Sequence, residues 1–229
     1  MFYNRDIDSK TRDGLLPHLQ ADPTTRRLVS AFMERASGVL MPVSSLPGPY
    51  GIGGFGWNAY DFVDFLASCK QHYWQILPLT TTSYGDSPYQ SFSARAGNPN
   101  FIDFAELIEA GYLEQRDIDG VYLGSDPNNV DYGAIFGGRR QILDRGAADK
   151  PADFDDFVQA NEDWLIPYCE FMTVKEECGL KAFWEWPAEL RTRGEASAKV
   201  CAAHPARMLY HQMTLYFFNR QWSRLKAYA

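Results

Sequence analysis

The chain has 229 residues, of which 45% are hydrophobic and 22% are charged, and this balance excludes a protein that is mainly disordered. Its 29 acidic residues outnumber its 22 basic ones, and the lack of a long basic run disfavours nucleic acid as a partner. No apolar run reaches the roughly 18 residues of a membrane span, and residues 1–27 lack the apolar core of a signal peptide. We therefore expect a cytoplasmic protein that does not enter a membrane.

The first predicted elements form a βαβ unit. A nearly continuous apolar run at 38–43 predicts a strand that is buried on both faces. Residues 58–70 place their apolar side chains on one stripe, as an amphipathic helix does. A second strand is predicted at 73–77, where aromatic and branched residues are followed by Pro78. This order indicates an α/β protein with a parallel sheet.

The remaining elements are predicted to be mostly helical. A long polar loop at 79–100 leads to a short helix that ends near Gly111, the residue expected at its C-terminus. From Asp153 to Met172 the apolar spacing predicts helix, with Pro167 marking a break or the first turn of a second helix. A final helical pattern begins at about Pro205.

These elements suggest four segments. We expect a lead-in at 1–36, the βαβ portion at 37–110, an inserted helical subdomain at 111–204 and a helix at 205–229. The last helix reaches Ala229 without a glycine C-cap or a following strand, so we expect the fold to continue beyond it.

The segment Tyr84–Ser91 is the leading candidate for a binding site. Its hydroxyl, amide and carboxylate groups alternate with aromatic rings at the carboxyl end of a predicted buried strand, where ligands bind in parallel sheets. Such a mixture suits a neutral, polyhydroxylated ligand such as a sugar. The alternative is a structural loop in which Ser87 and Asp86 hold their own backbone, and the residues alone leave both interpretations open.

A glycine cluster raises a second hypothesis. Residues Gly51–Gly56 match the G-x-G-x-x-G fingerprint of a dinucleotide-binding domain. Two prolines separate the cluster from the first strand, however, and no ribose-binding acid follows the second strand. Both departures disfavour a dinucleotide.

Other chemistry-bearing residues give weak signals. Four cysteines lack C-x-x-C spacing and four histidines lack metal-ligand spacing, so we expect no metal site and no disulfide framework. No G-x-S-x-G elbow is present. Acidic clusters, such as those at Asp153 and at Glu176–Glu177, are predicted to be solvent-exposed helix faces.

A set of longer motifs resembles a known family. The motifs lie at residues 38–53, 73–79, 84–93, 96–99, 130–133, 184–187 and 217–222. Together they are similar to the amino-terminal half of the 4-α-glucanotransferases of glycoside hydrolase family 77, also called amylomaltases. The resemblance implies an α/β fold that is the amino-terminal part of a (β/α)8 TIM barrel with an inserted helical subdomain, incomplete in this chain.

The resemblance also implies a reaction. Members transfer a segment of an α-1,4-glucan or maltooligosaccharide to the 4-hydroxyl of an acceptor by a retaining double displacement, which needs two carboxyl groups about 5 Å apart. In the family these groups come from later strands, so no catalytic residue, metal or cofactor is expected here. We expect the 229 residues alone to be inactive.

The site residues implied by the resemblance are binding residues. Ser87 and Tyr89 match positions that line the donor sugar pocket, with Asp86 and Gln90 beside them. Tyr84 and Tyr132 match a secondary glucan-binding surface. A non-catalytic glucan-binding module remains an alternative, and a dinucleotide-binding domain is a weaker one.

Overall fold

The computed structural model describes residues 35–82, 86–147 and 149–229, which form a mixed α/β structure. Most of the predicted lead-in therefore lies outside the described residues. The strands and helices are β1 (Gly38–Leu40), α1 (Trp57–Ser68), β2 (Tyr73–Gln75), α2 (Phe104–Glu109), α3 (Gln115–Ile118), α4 (Tyr132–Gly146), α5 (Phe154–Ala160), α6 (Glu162–Glu177), α7 (Glu195–Ala203) and α8 (Pro205–Tyr228). Short 3-10 helices occupy Val43–Ser45, Pro99–Phe101, Phe183–Glu185 and Ala188–Leu190.

The predicted βαβ unit is confirmed. Strand β1 pairs in parallel with β2, with Val39 opposite Trp74, and α1 makes the crossover between them. The prediction that the first strand is buried on both faces is wrong, because Leu40 is 55% exposed. In the described part of the chain, β2 is the one strand that pairs with β1, and the Leu40 side chain lies on a face of this two-stranded sheet that is largely open to solvent.

The break between α5 and α6 falls at Asn161, whereas Pro167 lies inside α6. The predicted break at Pro167 is therefore wrong. The Asn161 side chain donates a hydrogen bond of 2.9 Å to the Phe157 carbonyl, and the Asn161 backbone carbonyl accepts one of 2.9 Å from the Leu165 amide. Asn161 thus provides hydrogen-bond partners for a backbone carbonyl at the end of α5 and for a backbone amide at the start of α6.

Helix α8 connects the helical segment to the βαβ unit. It packs on α6, α7 and α1. Near its start Arg207 pairs with Glu176 of α6, and at its end the Tyr228 hydroxyl donates to Asp64 of α1 at 2.7 Å. The buried Gln221 amide donates to the Asp103 carbonyl at 3.0 Å, while its oxygen accepts from the Asp103 amide at 2.7 Å. These two hydrogen bonds hold the backbone at Asp103, just after the candidate loop, against α8.

The aromatic ring of Phe55 lies at the centre of the packing between these parts. It is fully buried, and its centroid is 5.1 Å from that of Phe218 and 5.6 Å from that of Trp222. The residues after the first strand are thereby joined to α8. Among the described helices, none is both long and apolar enough to cross a membrane.

Candidate functional site

The candidate loop is closed at its base by backbone pairing. Thr80 and Gly97 form an antiparallel bridge, and the Thr81 amide donates to the Ala96 carbonyl at 3.0 Å. A side chain at Gly97 would collide with the Phe218 ring, so glycine allows α8 to approach the base. The loop therefore starts from a fixed position at the end of β2.

Two serines hold the returning half of the loop. The Ser93 hydroxyl accepts hydrogen bonds from the amides of Arg95 at 3.2 Å and Ala96 at 3.0 Å. The Ser91 hydroxyl accepts from the Ser93 amide at 3.2 Å and lies 3.3 Å from the Thr81 hydroxyl. Both serines lie in the motif at 84–93, but neither was predicted to have an anchoring role, although side-chain to backbone bonds of this kind are a known use of serine in turns.

The loop presents Ser87, Tyr89 and Gln90 together on one turn. The Gln90 amide donates to the Ser87 carbonyl at 3.0 Å, and the Tyr89 amide is 3.4 Å from the Ser87 hydroxyl oxygen. Tyr89 is 75% exposed, so its ring can meet a ligand. A hydroxyl, an amide and an exposed ring are therefore grouped within four residues.

Asp86 and Tyr132 approach each other across the loop and the start of α4. Burial raises the pKa of Asp86. Burial also raises the pKa of the Tyr132 hydroxyl, and the nearby Asp86 carboxylate raises it further. Asp86 has a positive φ of 55°, a left-handed conformation that is uncommon for residues other than glycine but that aspartate adopts more readily than most. Tyr84, the other predicted aromatic of this surface, lies outside the described residues.

The glycine cluster at 51–56 is filled by the protein's own backbone. A side chain at Gly53 would meet the carbonyls of Val43 and Leu46, and one at Gly54 would lie 2.7 Å from the Phe101 carbonyl. The cavity beside the cluster holds about 10 Å³, roughly the space of one water molecule. These glycines permit close packing and leave no room for a pyrophosphate.

Replacing Gly51 by alanine is expected to lower the free energy of unfolding by about 2 kcal/mol. Gly51 has a φ of 78°, and an added Cβ would collide with the Leu123 carbonyl and lie 2.9 Å from Ile135 Cγ2. Urea denaturation of the variant measures the loss. Gly137→Ala is the control, because nothing lies within 4 Å of a Cβ there, and equal stability of the two variants would contradict the packing role.

A second polar cluster joins α4, α6 and α8. Glu176, whose side chain is 12% exposed, lies 3.0 Å from Arg140, 2.6 Å from Arg207 and 3.1 Å from His211. Arg207 also pairs with Asp144. Burial would raise the pKa of Glu176, but the adjacent His211 imidazole and the hydrogen bonds from Arg207 outweigh it and hold the pKa at about 2. The prediction of a solvent-exposed acidic face at Glu176 is wrong.

Within the ranges that the structure describes, no group of three or more histidine, cysteine, aspartate or glutamate residues is placed to hold a metal ion. Cys69, Cys169, Cys178 and Cys201 are free thiols. Burial raises the pKa of the Cys169, Cys178 and Cys201 thiols. These three are therefore poor nucleophiles.

Comparison with known proteins identifies close relatives. A family model described as 4-alpha-glucanotransferase, Glyco_hydro_77, matches residues 41–229. The 4-alpha-glucanotransferase of Streptococcus pneumoniae is 51% identical over 203 residues, which cover 86% of this chain and 40% of that protein. The enzyme of Thermus thermophilus is 38% identical over 206 residues, with the same two coverages of 86% and 40%. The chain thus spans about 40% of the length of these curated relatives.

Solved structures give the same result. The amylomaltase from Streptococcus agalactiae in complex with acarbose matches with a TM-score of 0.80 and 46% identity, covering 85% of this chain and 41% of that chain. The amylomaltase from Corynebacterium glutamicum matches with a TM-score of 0.62 at 18% identity, which supports the fold alone.

Proposed function

The chain belongs to glycoside hydrolase family 77, the 4-alpha-glucanotransferases, and on that basis we propose that its protein transfers segments of α-1,4-glucan to the 4-hydroxyl of an acceptor glucose or glucan. A retaining double displacement would carry out the transfer. The observation that carries the proposal is the 51% identity to a named 4-alpha-glucanotransferase across 86% of this chain. The candidate loop lies within the matched family region.

The architecture is interpreted in the same way. We take β1 and β2 as the first two strands of a (β/α)8 barrel, with 37–110 as the βαβ portion, 111–204 as the inserted helical subdomain and 205–229 as a barrel helix. The parallel register of β1 and β2 and the TM-score of 0.80 to an amylomaltase support this assignment. No catalytic carboxylate is assigned within the 229 residues, and we expect transfer to need residues outside them.

The loop residues receive binding roles. Ser87 and Tyr89 would contact the donor sugar, Ser87 through its hydroxyl and Tyr89 through its exposed ring. The Asp86 carboxylate would accept hydrogen bonds from neighbouring sugar hydroxyls, and the Gln90 side-chain amide would donate hydrogen bonds to them. Tyr132, which is 36% exposed, would belong with Tyr84 to a secondary glucan surface.

A chimera tests the proposed reaction. This chain replaces the matching 203-residue segment of the Streptococcus pneumoniae relative, and the chimera is incubated with maltotriose. We expect glucose and longer maltooligosaccharides, while the 229 residues alone should yield neither. A folded chimera that binds maltoheptaose without transfer would favour a non-catalytic glucan-binding module instead, an alternative that the exposed Tyr89 and Tyr132 also support.

Replacing Tyr89 by alanine in that chimera is expected to weaken maltoheptaose binding about tenfold, because loss of one stacking ring removes roughly 1.4 kcal/mol. Titration followed by tryptophan fluorescence gives the affinity. Tyr122→Ala is the matched control, since Tyr122 is 61% exposed but lies outside the candidate loop. Equal weakening by both changes would remove Tyr89 from the site.

A further inference from the structure

We propose that a cavity between α4, α6, α8 and the segment Gly97–Asn100 binds a small oxyanion of the size of phosphate. The cavity has a volume of about 130 Å³. That volume is several times the roughly 10–15 Å³ that one water molecule needs. This inference is independent of the proposed glucan transfer and uses none of the residues assigned to it.

Two buried donors of the cavity wall lack hydrogen-bond partners. Arg139 is 2% exposed and His211 is 5% exposed, and both line the cavity. In the described parts of the chain, Arg139 Nε and His211 Nε2 are the buried side-chain nitrogen or oxygen atoms without a hydrogen bond. His211 Nε2 is 3.1 Å from a Glu176 oxygen, but it makes no aligned hydrogen bond to it. Because unpaired buried donors are rare, one occupant that accepts from both would explain them.

The charge of Arg139 also lacks a direct partner. Its guanidinium donates to the carbonyls of Tyr50, at 3.1 Å, and Ile102, and it lies 4.1 Å from the Phe104 ring centroid. Among the described residues it forms no ion pair, and Asp103 acts on it only at longer range. Burial lowers the pKa of Arg139, but a guanidinium still keeps its proton at neutral pH. Buried charges are normally paired, so an anion is the missing partner.

Arg139 is the cation of this region that has no directly paired carboxylate within the described ranges. Arg140 and Arg207 are matched by Glu176 and Asp144, whereas Asp103 acts on Arg139 only at longer range. Glu176 is the one carboxylate among the described lining residues, and its charge is already engaged by both arginines. The arginine without a direct partner therefore favours an anion despite this acid.

Oxyanion chemistry fits the remaining wall. Arg140, Thr81, Asn98 and Asn100 line the cavity and carry further N–H or O–H groups. A phosphate group offers acceptor oxygens to all of these donors. A neutral sugar could accept the same hydrogen bonds but would leave the Arg139 charge uncompensated. Inorganic phosphate and a phosphorylated sugar share the recognised group.

Titration calorimetry with inorganic phosphate tests the site, with chloride at equal ionic strength as the reference. We expect saturable phosphate binding that Arg140→Gln weakens at least tenfold. Arg116→Gln makes the same charge change at a surface residue outside the cavity and should leave the affinity unchanged. Arg139→Lys keeps the charge, removes the Nε donor and should weaken binding about tenfold. If that variant does not fold, the Arg140 and Arg116 pair carries the comparison.

Three outcomes would overturn the proposal. The first is a phosphate titration that gives no saturable heat beyond that of chloride. The second is equal affinity of the Arg140 and Arg116 variants for phosphate, and the third is displacement of phosphate by maltotriose. A further titration with glucose 6-phosphate distinguishes the source of the group. Tighter binding of the sugar phosphate supports a phosphorylated sugar as the ligand, and tighter binding of the inorganic ion supports free phosphate.

Discussion

Replacing Phe55 by alanine is expected to lower the free energy of unfolding by about 3–5 kcal/mol, a large share of the roughly 5–15 kcal/mol that keeps a typical protein folded. The ring is fully buried and contacts aromatic rings from two other parts of the chain, at Phe101 and at Phe218 and Trp222. Alanine would remove these contacts and leave a cavity, because a junction between three segments cannot close around it without moving all of them.

Urea denaturation followed by circular dichroism measures the change. Phe65→Ala provides the control on α1, since Phe65 is 58% exposed, and it should cost less than about 1 kcal/mol. We further expect the Phe55 variant to become sensitive to proteolysis in the candidate loop, whose base contacts Phe218. A loss of stability no larger than that of the control would show that the junction repacks.

Replacing Glu176 by glutamine is expected to cost about 3 kcal/mol, because it removes one partner of a buried charge cluster and leaves Arg140 and Arg207 short of a carboxylate. Glu177→Gln is a matched control on the same helix, since its side chain is 50% exposed and pairs with His204 at the surface. The control should change the stability by less than about 0.5 kcal/mol.

The same carboxylate predicts a dependence on pH. Its pKa of about 2 in the folded protein lies below the ordinary value of 4.5, so its contribution is complete above about pH 4.5 and is lost as the pH falls towards 2. The loss over this window is about 3 kcal/mol. Denaturation measured at several pH values should show a weaker acid dependence for Glu176→Gln than for the unchanged protein. An identical acid profile for the two proteins would contradict the assignment.

The sequence predicted the elements whose signals are local. The apolar stripe predicted α1, and the aromatic and branched run predicted β2, because each depends on neighbouring residues. Pro167 was misleading as a helix boundary, since the hydrogen bonds of Asn161 determine where α5 ends. A proline shows where a backbone N–H group is missing. It does not show which residue provides the hydrogen bonds for the free backbone groups at the end of the preceding helix.

The candidate site was predictable only in part. The motif at 84–91 pointed to the loop. The anchoring of the loop by Ser91 and Ser93 was not predictable, because it depends on a fold that brings the returning half of the loop next to Thr81. Glu176 looked like a surface acid because its arginine and histidine partners come from α4 and α8, about 30 residues away in either direction. Pairings at such separations leave no periodic trace in the sequence.

The bond between Gln221 and Asp103 spans 118 residues and has a consequence for synthesis on the ribosome. The chain around Asp103 leaves the ribosome long before Gln221 is made, and until then its backbone amide and carbonyl must be satisfied by water. Phe218 reaches the base of the candidate loop equally late. The nascent chain therefore cannot complete the candidate loop from the amino-terminal elements alone, and this part of the protein should become resistant to protease only after α8 has emerged.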